Sequence, residues 1–89
     1  MDKSNGVMAY NYFAYTGVGD PLIATSYTRM FSPNVPSCNG GCSVCAIRID
    51  DNSFVTPTSI TEIILILGNA IGTGTQQSDG DAKVLMKDC

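Results

Sequence analysis

Three cysteines lie within eight residues, in Cys38-Asn-Gly-Gly-Cys42-Ser-Val-Cys45, and a fourth stands at Cys89. A chain of 89 residues buries only about 60 to 65% of its unfolded surface and gains much from covalent or metal reinforcement. Four sulfurs permit two such reinforcements. Two disulfides would join them in one of three pairings, and all three are open from spacing alone. Alternatively, four thiolates from Cys38, Cys42, Cys45 and Cys89 suffice for a zinc or iron-sulfur site, although the paired knuckle spacing of a zinc ribbon is missing. A redox couple at Cys42-x-x-Cys45 fits less well, because that motif opens a helix whose N-terminus lowers the thiolate pKa, and a strand is predicted here.

The surface chemistry excludes several function classes. Charged residues make up 15% of the chain and apolar ones 44%, against about 25% charged in an ordinary soluble domain, so a folded and lightly charged body is expected. Lys3, Arg29, Arg48, Lys83 and Lys87 are scattered and the net charge is −3, which argues against a nucleic-acid phosphate track. The longest apolar run, Ile63 to Leu67, has five residues, whereas a membrane span needs about 20. With no histidine anywhere, a Ser or Cys nucleophile lacks the base that the usual hydrolase triad requires. A non-enzymatic protein without a cofactor is expected.

Local patterns predict an α+β domain with an antiparallel sheet of three or four short strands and one helix, at about residues 60–71, stapled by disulfides. Residues 1–6 are polar and read as a flexible N-terminus, and residues 7–89 read as one small domain. Val7 to Tyr15 is tyrosine-rich and strand-like, and Leu22 to Met30 is a second strand with β-branched Ile23, Thr25 and Thr28. Val44 to Ile49 alternates so that Cys45, Ile47 and Ile49 share an apolar face, and Ala82 to Met86 supplies a last strand. Ser59 and Glu62 form a capping box for the helix, whose buried stripe is Ile60, Ile63, Ile64, Leu67, Ala70 and Ile71, with Gly72 as the stop. Thr73 to Gly80 reads as a mobile polar loop.

Tyr12-Phe13-Ala14-Tyr15-Thr16-Gly17, a downstream Tyr27, and Pro36-Ser37-Cys38 through Cys45-Ala46-Ile47 together resemble a pattern in small uncharacterised exported proteins of Bacteroidetes bacteria. The resemblance spans about Tyr10 to Ile49. It implies that Cys38 and Cys45 are the core pair and that Cys42 and Cys89 are an addition particular to this chain; it brings no activity. On that pairing, Cys38–Cys45 closes a glycine-containing turn and Cys42–Cys89 ties the chain end to the middle. On the chain-entropy estimate the two bridges contribute roughly 2.5 and roughly 4 kcal/mol.

The functional expectation is an exported structural, assembly or partner-binding module, located outside the cytoplasm, with the export signal absent from the sequence as given. A protein partner or self-association is expected, with no nucleic acid and no membrane span. A four-cysteine metal protein and a secreted antagonist peptide are the competing classes. Tyr10, Tyr12, Tyr15 and Tyr27 are candidates for an aromatic contact surface, since ring faces give large contact area at small entropic cost. Asp50-Asp51-Asn52-Ser53 and Asp79-Gly80-Asp81 offer oxygen ligands suited to calcium but follow no EF-hand loop, so ordinary turns are expected there. Asn39-Gly40-Gly41 reads either as a tight turn or as an amide nest for an anion.

Overall fold

A computed structural model of the chain describes residues 10–31, 36–38 and 40–87. The expectations for residues 1–6 and for Cys89 lie outside the described residues. The elements are β1 (Tyr10–Tyr15), β2 (Tyr27–Met30), β3 (Ser43–Asp50), α1 (Ile64–Thr73), β4 (Gln77–Asp79) and β5 (Ala82–Lys87). The five strands form one antiparallel sheet in the order β2-β1-β3-β5-β4. The α+β class is as expected, with one strand more than the sequence pattern indicated.

β3 occupies the centre because it is the strand with the most apolar side chains to bury. Val44, Ala46, Ile47 and Ile49 are all buried. Directly opposed residues share a face of the sheet, so the row Phe13, Ile47 and Val84 runs across the three central strands and forms the floor of the core. α1 and the 3₁₀ turn before it, Thr61–Ile63, lay Ile60, Ile63, Leu67 and Ala70 on that floor.

The alternation expected for β3 is broken by a bulge. Val44 faces Met86 and Ala46 faces Leu85, so two steps along β3 meet one step along β5, and Cys45 is the extra residue. The side-chain period is two, and one inserted residue turns Val44 onto the face that holds Ile47, Ile49, Val84 and Met86. Ala46 is fully buried yet outside that cluster. The face expected to run Cys45, Ile47, Ile49 is therefore corrected to Val44, Ile47, Ile49.

Three other elements and one helix cap differ from what was expected. Residues 22–26 are spent on a turn rather than a strand: the Ile23 amide and the Ser26 hydroxyl both donate to the Asp20 carbonyl, at 3.1 and 2.7 Å, and a 3₁₀ turn, Ala24–Ser26, follows. β2 thus starts only at Tyr27. The helix expected at about 60–71 starts instead at Ile64, after the 3₁₀ turn Thr61–Ile63, and runs to Thr73, where Gly74, at φ 69°, closes it by donating its amide to the Ala70 carbonyl at 2.8 Å. Gly74 and not Gly72 is the stop, since a left-handed C-terminal residue is most accessible to glycine. The capping box does not form: the Ser59 hydroxyl accepts from the Thr61 amide, while the Glu62 carboxylate accepts from the Asp50 amide at the end of β3. Within the polar stretch 73–80, residues Gln77–Asp79 pair with β5. The connecting turn has Gly80 at φ 65° and no positive φ at Asp81, the pattern of a type II′ hairpin.

The buried stripe of α1 is also narrower than expected. Ile64 and Ile71 are exposed and Leu65 is 76% exposed, whereas Ile66 packs against the core. The 3₁₀ entry accounts for the shift, because its tighter winding rotates the following residues relative to an α-helix started at Ile60. Leu67 is completely enclosed. Leu67→Ala is expected to lower the unfolding free energy by about 2 to 5 kcal/mol through lost transfer energy and the cavity left behind; a loss below about 1 kcal/mol in urea denaturation would contradict this placement.

Candidate contact surfaces

The cysteines divide as the resemblance implied for one pair. Cys38 and Cys45 are joined by a disulfide with their Cα atoms 6.0 Å apart, and the bond ends on the bulge residue of β3. None of the described cysteines is a free thiol. Cys42 lies beside the end of α1, where a Cβ built on Gly74 would stand 3.2 Å from the Cys42 Cβ; its expected partner, Cys89, lies outside the described residues. With Cys38 and Cys45 bonded to each other, those two sulfurs are unavailable as thiolate ligands in the oxidised protein. Among the described residues no group of three Cys, Asp or Glu side chains is arranged around a common point. The Gly40 amide, a candidate for an anion nest, donates instead to the Met86 carbonyl at 2.8 Å and so extends the sheet.

The four tyrosines do not make one surface. Tyr27 is fully buried, and its ring is not available for contact. Its phenol donates to the Pro21 carbonyl at 2.6 Å. Burial above all, with Tyr15 and Asp20 nearby, pushes that phenol well above its ordinary pKa. The Tyr15 ring lies 5.6 Å from Tyr27, and its hydroxyl donates to the Gly19 carbonyl. This pair packs the 16–26 connection onto the sheet. Tyr10 and Tyr12 sit elsewhere, with their ring centres 5.1 and 5.9 Å from the Arg48 guanidinium.

A second aromatic group, built around Arg29, was not anticipated from the sequence. Arg29 faces Phe13 across β1 and β2, so its side chain leaves the sheet on the core side at the outer strand. There the guanidinium lies 4.5 Å from the Phe31 ring centre and 6.0 Å from that of Phe54, and these two rings meet edge to face at 5.5 Å. Nη1 donates to the Ser53 carbonyl and Nη2 to Asn11 Oδ1, at 2.8 and 3.0 Å. The Arg29 amide donates to the Val55 carbonyl at 2.8 Å, which covers part of the outer edge of β2. One arginine thus ties residues 53–55 to the edge strand. The alternation of Arg29 and Phe31 about Met30 was the available signal, because it places cation and ring on the same side of a strand.

The connection itself is organised by Asp51. Its carboxylate accepts from the Ser53 amide at 2.7 Å and from the Thr58 amide at 2.8 Å. Burial, the largest single influence, raises the Asp51 pKa, but the hydrogen bonds from Ser53, Thr58 and Ser59 together outweigh it and hold the group below its ordinary 3.8. Phe54 and Val55, at the turn thus fixed, are 75% and 67% exposed. With Phe31 they form a compact apolar rim at the β2 edge of the sheet.

No protein-family model, curated protein or solved structure matches this chain. No helix among the described residues is long and apolar enough to cross a membrane.

A carboxylate whose pKa is depressed on folding adds stability above its unfolded value and loses it as pH falls through the folded one. Asp51 therefore contributes above about pH 4 and ceases to do so in more acidic solution. Asp51→Asn, which keeps the shape but weakens acceptance from two amides, is expected to lower the melting temperature at pH 7 and to flatten the acid limb of the stability profile. An unchanged acid limb in the variant would contradict this role.

Proposed function

We propose that the chain is a non-enzymatic exported module, closed by two disulfides, Cys38–Cys45 and Cys42–Cys89, that works by contact with another protein chain, a second copy of itself included. The observation that carries this reading is the rim of Phe31, Phe54 and Val55. Large side chains that a small protein holds outside its own core, at a fixed turn and beside an edge strand, are typical of protein contact sites. Aromatic rings held by an arginine lose little freedom on binding, which favours contact.

Export is supported by the disulfide, because such bonds persist mainly in oxidising compartments, and by the resemblance to small exported bacterial proteins. The pairing of Cys42 with Cys89 is supported by the register that sets Ser43 opposite Lys87, which brings Cys42 to the end of the sheet from which the last residues of the chain continue, and by the long loop such a bond would close in the unfolded chain. Peptide mapping without reduction reads that pairing directly.

Sedimentation of the oxidised protein across a wide concentration range, alongside Phe54→Ser, tests the contact surface. Reversible association that the variant weakens about tenfold or more is the expected result for self-contact. A strict monomer in both proteins rules out self-association; if, in addition, native extracts of the exporting cell yield no partner that binds the unsubstituted protein in preference to Phe54→Ser, the contact reading fails.

A further inference from the structure

The face of the sheet opposite the helix carries a row of side chains that the contact reading does not use. Tyr12 faces Arg48 across β1 and β3, Arg48 faces Lys83 across β3 and β5, and Lys83 faces Ser78 across β5 and β4. Lys83 alternates with the core residues Ala82 and Val84 and so points away from α1. The row therefore sets two cations side by side, at the roughly 4.5 to 5.5 Å between Cβ atoms of an opposed pair, in a chain with only five Lys and Arg and a net charge of −3. Like charges directly opposite each other oppose folding. Arg48 is partly neutralised, with Nη1 2.9 Å from the Asp81 carbonyl and 3.7 Å from its carboxylate. Among the described residues Lys83 makes no ion pair.

Beside Lys83 lies an open depression of about 330 Å³ lined by Gln76, Gln77, Ser78, Lys83, Val84 and Leu85. Gln76 Oε1 already accepts from the Met86 amide at 3.1 Å and Gln77 Nε2 donates to Thr75 Oγ1 at 3.2 Å, which leaves the Gln76 amide nitrogen, the Ser78 hydroxyl and the Lys83 ammonium to face a ligand, and the aliphatic wall is small. Such a lining suits a ligand dense in hydroxyls, not an apolar one. The unpaired ammonium adds attraction for an anion, while the Arg48 charge behind it is offset by the Asp81 carboxylate 3.7 Å from its guanidinium. Beyond Arg48 the Tyr12 ring continues the row, 5.9 Å from its guanidinium, and aromatic faces stack on the C–H face of a sugar ring. From this arrangement we infer that the open face binds an acidic oligosaccharide, with Lys83 receiving a carboxylate, Ser78 and the Gln76 amide nitrogen at the β4 edge bonding hydroxyls, and Tyr12 supporting a neighbouring ring. The site is separate from the Phe31–Phe54 rim and stands or falls independently of it.

Amide chemical-shift titration of the oxidised protein tests the inference, with trigalacturonate as probe, maltotriose as the neutral sugar and a glutamate trimer as a charged non-sugar. Saturable shifts centred on residues 76–78 and 83–85 with trigalacturonate, absent with maltotriose and at least tenfold weaker with triglutamate, are expected. Lys83→Gln is expected to weaken trigalacturonate about tenfold or more. Because it relieves the opposed cations, it should leave the melting temperature unchanged or raised, so lost binding cannot be ascribed to unfolding. Absence of saturable shifts at these residues, equal response to triglutamate, or wild-type affinity in Lys83→Gln would each overturn the inference.

Discussion

At Cys45 the central strand carries one residue more than its neighbour, and the Cys38 bridge closes on that same residue. The consequences extend through the molecule. The inserted residue turns Val44 inward to meet Met86, so both ends of β3 feed one core. Without it, the side chains before and after residue 45 would alternate in step, and Val44 would leave the cluster in which it is now buried. The disulfide attaches the segment before β3 to this point, and the Gly40 amide then pairs with the Met86 carbonyl. In a domain whose apolar burial only narrowly exceeds its conformational entropy, such a covalent anchor at the middle of the sheet restricts the unfolded chain near the strand that every other element depends on.

The remaining strands and the helix are arranged around that axis by polar ties at the periphery. Arg29 joins the outer strand to residues 53–55 through two side-chain hydrogen bonds and one amide. Glu62 links the start of the helix to the end of β3, and Asp51 shapes the connection between them. Tyr27 performs the same task for the 16–26 connection, with its ring in the core and its hydroxyl on Pro21. Apolar side chains stand exposed beside these ties: Leu22 and Ile23 in the 16–26 connection, Ile64 and Leu65 at the start of the helix, and Phe31, Phe54 and Val55 at the Arg29 group. The open face carries instead the Arg48 and Lys83 row, so the two sides of the sheet present different chemistry.

What the sequence disclosed and what it concealed follow from the range of the interactions involved. The helical segment was legible because Ile60, Ile63, Leu67 and Ala70 recur at a spacing set by local geometry, although Ile60 and Ile63 belong to the 3₁₀ entry and not to α1. β1 was legible from its aromatic content, β3 from its β-branched residues, and β5 from the alternation of Ala82, Val84 and Met86 with Lys83, Leu85 and Lys87. β4 was not, because Gln77-Ser78-Asp79 has neither apolar alternation nor β-branching; only its pairing with β5 and the Gly80 turn make it a strand. The capping box satisfied its sequence rule and still failed, since the Glu62 carboxylate found the Asp50 amide, a long-range partner that no local rule includes. The bulge was hidden for the same reason: register is a property of two strands, and the alternation of one strand does not disclose it. Of the candidate site, the Cys38 to Cys45 bond followed the resemblance. The tyrosines separated because Tyr27 and Tyr12 belong to opposite faces, and the Arg29 group required the return of residues 53–55 to the sheet edge.

The register around Cys45 is the most direct test of this account. Nuclear Overhauser spectroscopy of the oxidised, isotope-labelled protein reads it from backbone proton contacts between β3 and β5. The structure requires cross-strand contacts linking Val44 with Met86 and Ala46 with Leu85, with Cys45 facing no residue of its own. An uninterrupted ladder, in which Cys45 opposes Met86 and Val44 opposes Lys87, would contradict the account, because Val44 would then leave the core and the disulfide would end on an ordinary strand position.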